Sequence, residues 1–174
     1  MIRDVTIDNA NAICQIYNHY IENTTVTFEE EPVSVEVMQD RIYQVTQTYP
    51  WVVFDEEGTI VGYAYASRWH SRSAYRFSVE STVYVSQDMT GQGVGNQLYQ
   101  ELIARLKSQS VHTVIGGITL PNPASVALHE KLGFKQAAHY QQVGWKFGQW
   151  IDVGYWELIL SNLKPTSQGD VDVN

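Results

Sequence analysis

Along this chain the apolar residues change period from two to 3.6 and back, and each change predicts an element. Ile2 to Ile7 alternates and predicts a short strand. Ile13, Ile16, Tyr17, Tyr20 and Ile21 then recur at helical spacing, with Asp8 or Asn9 available as the N-cap. Asn23 to Pro32 reads as a loop in which Phe28 stands beside Glu29, Glu30 and Glu31. Ser34 opens a second helix on Met38, Ile42 and Val45, which Tyr49-Pro50 closes. Trp51 to Phe54 and Thr59 to Ser67 predict two strands joined by the turn Asp55-Glu56-Glu57-Gly58. A polar and aromatic loop, Trp69 to Tyr75, leads into a long strand from Arg76 to Ser86.

The middle of the chain carries its most distinctive stretch. The strand residues Thr82 to Val85 pass through a polar turn into three alternating glycines, Gly91, Gly93 and Gly95. A helix follows, with Val94, Leu98, Tyr99, Leu102, Ile103 and Leu106 on one face. Such a loop either makes a turn or holds an anion, because glycine lets backbone amides approach closely and the helix N-terminus attracts phosphate oxygens. Val111 to Gly117 predicts another strand. Asn122-Pro123 begins a short helix with Ala124, Ala127, Leu128 and Leu132 on one face, and Gly133 ends it. Strands around Lys135–Trp145 and Ile151–Leu160 complete the order β-α-α-β-β-β-α-β-α-β-β.

Three consecutive strands before the central helix imply a largely antiparallel sheet with one parallel crossover, around Gly91–Gly95. That order argues against a Rossmann domain. The glycines also lack the G-x-G-x-x-G spacing, and no Walker lysine follows them. The fold class expected is therefore α/β (α+β).

Composition narrows the possible functions. The length of 174 residues and an apolar fraction of 44% suit one domain over residues 1–163, with residues 164–174 as a polar tail. A formal charge of −8 argues against nucleic-acid and anionic-membrane partners, so an anionic ligand must be held locally. Cys14 is the only cysteine, which excludes a disulfide within the chain and a multi-cysteine zinc site; it reads as packing, and no metal is expected. The N-terminus lacks a secretory signal, and no apolar run is long enough to span a bilayer, so a cytoplasmic location is expected.

With this order and loop in place, the chain resembles the GNAT superfamily of N-acetyltransferases. Its acetyl-CoA loop, Gln/Arg-x-x-Gly-x-Gly/Ala, falls on Thr90-Gly91-Gln92-Gly93-Val94-Gly95, with Thr90 replacing the usual Arg or Gln. The resemblance is closer to the phosphinothricin and methionine-sulfoximine N-acetyltransferases. It is carried by Asn18-His19-Tyr20-Ile21 with Thr27-Phe28, Tyr49-Pro50-Trp51, Gly62 to Ala66, and Glu80 to Val85. Leu120-Pro121-Asn122, Leu128 to Phe134, and Asp152-Val153-Gly154 extend it almost to the last strand. It implies the GNAT fold: a mixed, mostly antiparallel sheet of six to seven strands flanked by about four helices. It also implies acetyl-CoA as cosubstrate and a small amino acid or analogue as acceptor, acetylated on its α-amino group by direct attack.

Residue roles follow from the resemblance and from the chemistry. Amides of Gly91 to Gly95 would take the pyrophosphate, and the backbone of Val83, Tyr84 and Val85 would pair with the pantetheine arm. Asn122 is both an N-cap and a CoA contact by resemblance. An α-amine of pKa roughly 8–10 needs a base at neutral pH. Glu80, in a largely apolar strand, is the candidate; a solvated strand glutamate is the plainer alternative. His129 reads as a core or surface histidine from its helix alone, and by resemblance as an acid toward the departing thiolate. Arg72 matches the relatives' carboxylate-binding arginine. Phe28, Tyr75, Phe77, Ser81 and Thr82 would complete the acceptor site, and His70 stands where some relatives have lysine. The aromatic Trp145, Phe147, Trp150 and Trp156 predict an exposed surface and a homodimer. Other readings are a polyamine, aminoglycoside or protein N-terminus as acceptor, which for polycations would draw on Glu29, Glu30 and Glu31, and a non-catalytic acyl-CoA-binding module.

Overall fold

A computed structural model describes residues 1–160 of the chain. Its strands are β1 (Ile2–Asp4), β2 (Trp51–Glu56), β3 (Thr59–Arg68), β4 (Ser78–Val85), β5 (Thr113–Leu120), β6 (Lys135–Lys146) and β7 (Gln149–Ile159). The helices are α1 (Ala10–Asn23), α2 (Val35–Thr46), α3 (Val94–Ser108) and α4 (Pro123–Lys131). The strands form one sheet in the order β1-β2-β3-β4-β5-β7-β6. Every pairing is antiparallel except β4 with β5, the crossover through α3. The predicted mixed, mostly antiparallel sheet is therefore present.

Both faces of the sheet are covered. On one, the six apolar residues predicted for α3 are all buried, against Val52, Ala64, Ala66, Val79, Val114 and Ile118. On the other, Ile13, Ile16, Tyr17 and Ile21 of α1 and Met38 and Ile42 of α2 pack on Trp51, Val53 and Tyr63. At about 1.5–3 kcal/mol for each fully buried large apolar side chain, these two clusters are the main force closing the layers. Ser34 caps α2 by accepting from the Val37 amide, and Asn122 caps α4 by accepting from the Ser125 amide.

Several local expectations change. The N-terminal strand stops at Asp4, and Ile7–Asn9 forms a 3-10 turn that leaves Ile7 exposed. Asn9 stands at the N-cap of α1 but its side chain makes no capping bond; its Oδ1 accepts from Arg3, from the Thr6 amide and from the Thr6 hydroxyl instead. The strand expected from Arg76 begins at Ser78, and the one expected at Val111 begins at Thr113. Ala124 and Ala127 are exposed, and the buried residue of α4 is His129. Trp156 belongs to the core and not to the surface, and its indole N–H donates to Glu130. The tail predicted over residues 164–174 lies outside the described residues.

Candidate active site

The parallel ladder between β4 and β5 is short. It pairs Ser78 with Thr113, Val79 with Val114 and Glu80 with Ile115, and then stops while both strands run on. The sheet is split at that point, and a cavity of about 270 Å³ opens beside the split. Glu80 to Tyr84 form one wall and Gly117 to Thr119 another, with Val26 to Phe28, Val153 and Tyr155 closing a third side. Asn122, Ser125 and His129 of the α4 region and Tyr99 of α3 close the remaining side. On its other edge β4 stays paired with β3, where the Ser86 amide donates to Val61. The alternation of an antiparallel ladder then turns the backbone groups of Val83 and Val85 away from β3, toward the split. The Tyr20 hydroxyl already donates to Val85 O at 2.7 Å.

The glycine loop lies just beyond. Gly91 and Gly93 have φ of 76° and 83°, and nothing lies within 4 Å of where their Cβ atoms would sit. Backbone conformation, rather than lack of space, calls for glycine there. The first α3 bond is Gln97 N to Gly93 O, so the preceding amides of Val94, Gly95 and Asn96 have no acceptor within the helix. Thr90 and Gln92 fold back, donating to the Gln87 and Asp88 carbonyls. Asn96 Oδ1 is buried beside the loop with no hydrogen-bond partner among the described residues.

Side chains alternate along β4, so Glu80, Thr82 and Tyr84 point to the α1/α2 face while Ser81, Val83 and Val85 point toward α3 and α4. Burial pushes the Glu80 carboxyl above the usual glutamate range, and nearby His70 opposes this only in part. Gly117 and Tyr155 flank it: a Cβ on Gly117 would sit 3.4 Å from Glu80 Oε1 and 3.2 Å from the Tyr155 ring. The loop after α1 supplies the opposite wall. It is held by Asn18, which exchanges two hydrogen bonds with Val33, by Tyr17 OH to Thr27 Oγ1, and by the Arg41–Glu29 ion pair. Phe28, 40% exposed, sits at the rim with its ring over Gly144.

His129 is only 3% exposed. Its Nδ1 lies 2.7 Å from the Ser125 carbonyl, which can only accept, so Nδ1 carries the proton and Nε2 accepts from Tyr99 OH at 2.9 Å. Tyr99 OH lies 3.0 Å from Ser81 Oγ, which extends the network to β4. Burial lowers the His129 pKa, partly offset by the Ser125 carbonyl. The ring fits because residue 116 is glycine: a Cβ there would meet Nε2 at 2.4 Å.

A split sheet with a glycine-started helix at its mouth has clear relatives. Residues 2–154 match the acetyltransferase (GNAT) domain family. This chain belongs to the GNAT acetyltransferases. It is 42% identical to phosphinothricin N-acetyltransferase of Streptomyces viridochromogenes, over 90% of this chain and 85% of that protein. It is 38% identical to the L-methionine sulfoximine/L-methionine sulfone acetyltransferase of Pseudomonas paraeruginosa, over 95% of each. A crystal structure of a GNAT superfamily phosphinothricin acetyltransferase from Sinorhizobium meliloti, in complex with acetyl-CoA, superposes with a TM-score of 0.93. The identity is 35%, covering 99% of this chain and 96% of that one. The protein is thus an acetyl-CoA-dependent N-acetyltransferase.

In this GNAT enzyme, Phe28, Glu80, Ser81, Thr82, Val83, Tyr84, Asn122 and His129 from the expected set meet at the cavity. Val85 and the Thr90–Gly95 loop do not line it; they follow Tyr84 in the chain, and the free amides at the start of α3 suit a pyrophosphate. Asn122 both caps α4 and faces the cavity. Arg72, Tyr75 and Phe77 are not on the wall. Arg72 is exposed at the start of the turn Ser73–Tyr75, Tyr75 packs on His70, and Phe77 lies under the Arg76 guanidinium. The sequence reading missed Tyr99 and Tyr155 as wall residues. Gly117, bare backbone inside a strand and against the Tyr155 ring, was the available signal for Tyr155.

Proposed function

We propose that this enzyme acetylates the α-amino group of a small amino acid or analogue: phosphinothricin, methionine sulfoximine or methionine sulfone. Glu80 carries the reading: a half-buried carboxylate on the cavity wall beside the point where β4 and β5 part. Its raised pKa makes it a stronger base than a solvated glutamate, suited to take a proton from the ammonium form of the acceptor. The freed amine attacks the thioester carbonyl and a carbon–nitrogen bond forms; the carbon–sulfur bond then breaks, and the second proton lost by the nitrogen goes to the departing thiolate, so that coenzyme A leaves as the thiol. The Val83 amide, turned toward the split, is the proposed donor to the carbonyl oxygen as it gains charge. Arg72 is the proposed anchor for the α-carboxylate, through a guanidinium fork that matches it. His129, with its one N–H given to Ser125, has no proton for a thiolate in this state. Its proposed role is to orient the Tyr99 hydroxyl at the wall.

The relatives' acceptors support the amino-acid reading. A polycationic acceptor draws no support from Glu29, Glu30 and Glu31, since Glu29 is paired with Arg41 and none of the three lines the cavity. A panel of amines read by free-thiol release tests the assignment. Methionine sulfoximine, methionine sulfone or phosphinothricin should give the highest kcat/KM. Preference for a polyamine, an aminoglycoside or a peptide N-terminus would overturn it.

A homodimer is also proposed. Strand β6 ends the sheet, and Tyr140, Trp145, Phe147 and Trp150 stand exposed on its hairpin with β7. An aromatic sheet edge is a self-complementary surface for a second copy. Light scattering should show a dimer, and a monomer at micromolar concentration would refute it.

A further inference from the structure

The end of strand β6 alternates: Val143 and Trp145 are exposed while Gly144 and Lys146 are buried, and Phe147, in the turn that follows, is exposed. A lysine in the inward position is unexpected, and Lys146 is only 2% exposed. Its ammonium group donates to Ile21 O at 2.7 Å and to Thr27 O at 2.9 Å, residues 125 and 119 positions away in sequence. The Phe147 ring lies 5.0 Å from the same nitrogen, within cation–π range. Ile21 is in the last turn of α1, where an unpaired carbonyl and the negative end of the helix dipole favour a cation. Thr27 belongs to the loop that walls the cavity, and its neighbour Phe28 lies over Gly144, two residues before Lys146.

We propose that Lys146 is a positioning residue for the acceptor side of the cavity: it ties the loop of residues 24–31 to β6 and so sets Thr27 and Phe28 at the wall. Filling space is an insufficient account of it, because an apolar side chain of the same length would do so without desolvating a charge. What the ammonium adds is direction, by holding two carbonyls from separate segments at one point. Gly144 is the second half of the device. Its missing side chain leaves room for the Phe28 ring, which lies 2.1 Å from where a Cβ would be. The glycine loop of the cofactor side is not touched by either residue. The inference rests on the acceptor lying on the Phe28 side of the cavity, as the proposed function has it.

The test is Lys146→Met, with two readouts. Amide hydrogen exchange over residues 24–31 should quicken by about tenfold or more once both charged hydrogen bonds are lost. The KM for the best amine of the substrate panel should rise by a similar factor, while the KM for acetyl-CoA stays within about twofold. Unchanged exchange would overturn the clamp whatever the acceptor proves to be. Faster exchange with both KM values rising together would overturn the acceptor-side assignment. If Lys146→Met does not fold, Gly144→Ala displaces Phe28 while leaving Lys146 in place. It should give the same split between the two KM values, and equal effects on both would refute the proposal.

Discussion

Replacing Glu80 with glutamine removes the proposed base while keeping the shape of the side chain. An α-amine of pKa about 8–10 is roughly 90–99.9% protonated at pH 7, so an enzyme without a base must wait for the scarce free amine. General-base catalysis contributes about 10²–10⁴-fold, or about 3–5 kcal/mol of barrier. Glu80→Gln should therefore lose two to four decades of kcat/KM at neutral pH, measured by thiol release. The pH profile supplies a second check. Wild-type activity should rise as Glu80 ionises, above the usual glutamate range, whereas the variant should climb with the fraction of free amine. Stability should move the other way. Because burial raises the Glu80 pKa, the folded state favours the protonated form. The associated stability is full below the unfolded pKa and is lost as pH rises through the folded pKa. Above the folded pKa the ionised carboxylate is thus a burden, and there the variant should melt at or above the wild-type temperature. A variant keeping more than about half of the wild-type kcat/KM would refute Glu80 as the base. A destabilised variant would refute the argument from burial.

Three further outcomes follow from the same geometry. Gly116→Ala puts a Cβ 2.4 Å from His129 Nε2, so it should break the Tyr99–His129 bond and cost about 1–3 kcal/mol, seen as a lower melting temperature. No change in melting would show that the ring moves freely. Arg72→Ala should raise the KM for amino acids while leaving the KM for acetyl-CoA unchanged, in steady-state kinetics with each substrate varied. A defect confined to acetyl-CoA would remove Arg72 from the carboxylate role. Tyr99→Phe removes the hydroxyl that donates to His129 and should lower kcat more than either KM; unchanged kcat would leave the network a purely structural one.

What could be read in the sequence was what local periodicity controls. The spacing of Val94 to Leu106 specified a buried helical face, and all six residues are buried. Asn122-Pro123 specified a helix start, and the cap is present. The parallel step through the glycine loop was legible because only a crossover can join parallel neighbours. What stayed hidden depends on contacts between distant segments. β7 inserts between β5 and β6 through eight pairings with β5, from Thr113–Ile159 to Leu120–Asp152, which no local pattern encodes. The apolar letters of α4 misled, since its alanines face outward and its histidine faces in, a position that Gly116 on another strand makes possible. The burial of Lys146 had no signal, because its partners are carbonyls, and carbonyls leave no trace in a sequence. Arg72 was found by resemblance alone, and its loop places it outside the cavity wall.

The division of labour in the site comes from β4 being a strand. Alternation sends Glu80 and Thr82 to the face bearing the Phe28 loop, and Ser81 and Val83 to the face bearing α3 and α4. The loss of pairing after Glu80 exposes the strand's backbone edge at the same level. The proposed base, the wall residues and the hydrogen-bonding edge are thus supplied by consecutive residues with three different directions, and their relative placement is fixed by backbone geometry. Glu80 is the last β4 residue still paired to β5, so its position inherits the rigidity of the ladder while its carboxylate reaches past the end of it. A base in a loop would have to be held by side-chain contacts of its own. Here the sheet core, with Val79 and Val114 fully buried beneath it, does that work, and the loop is left to shape the acceptor. Changes in acceptor preference should therefore map to the 24–31 and 69–77 loops, and changes in rate to β4.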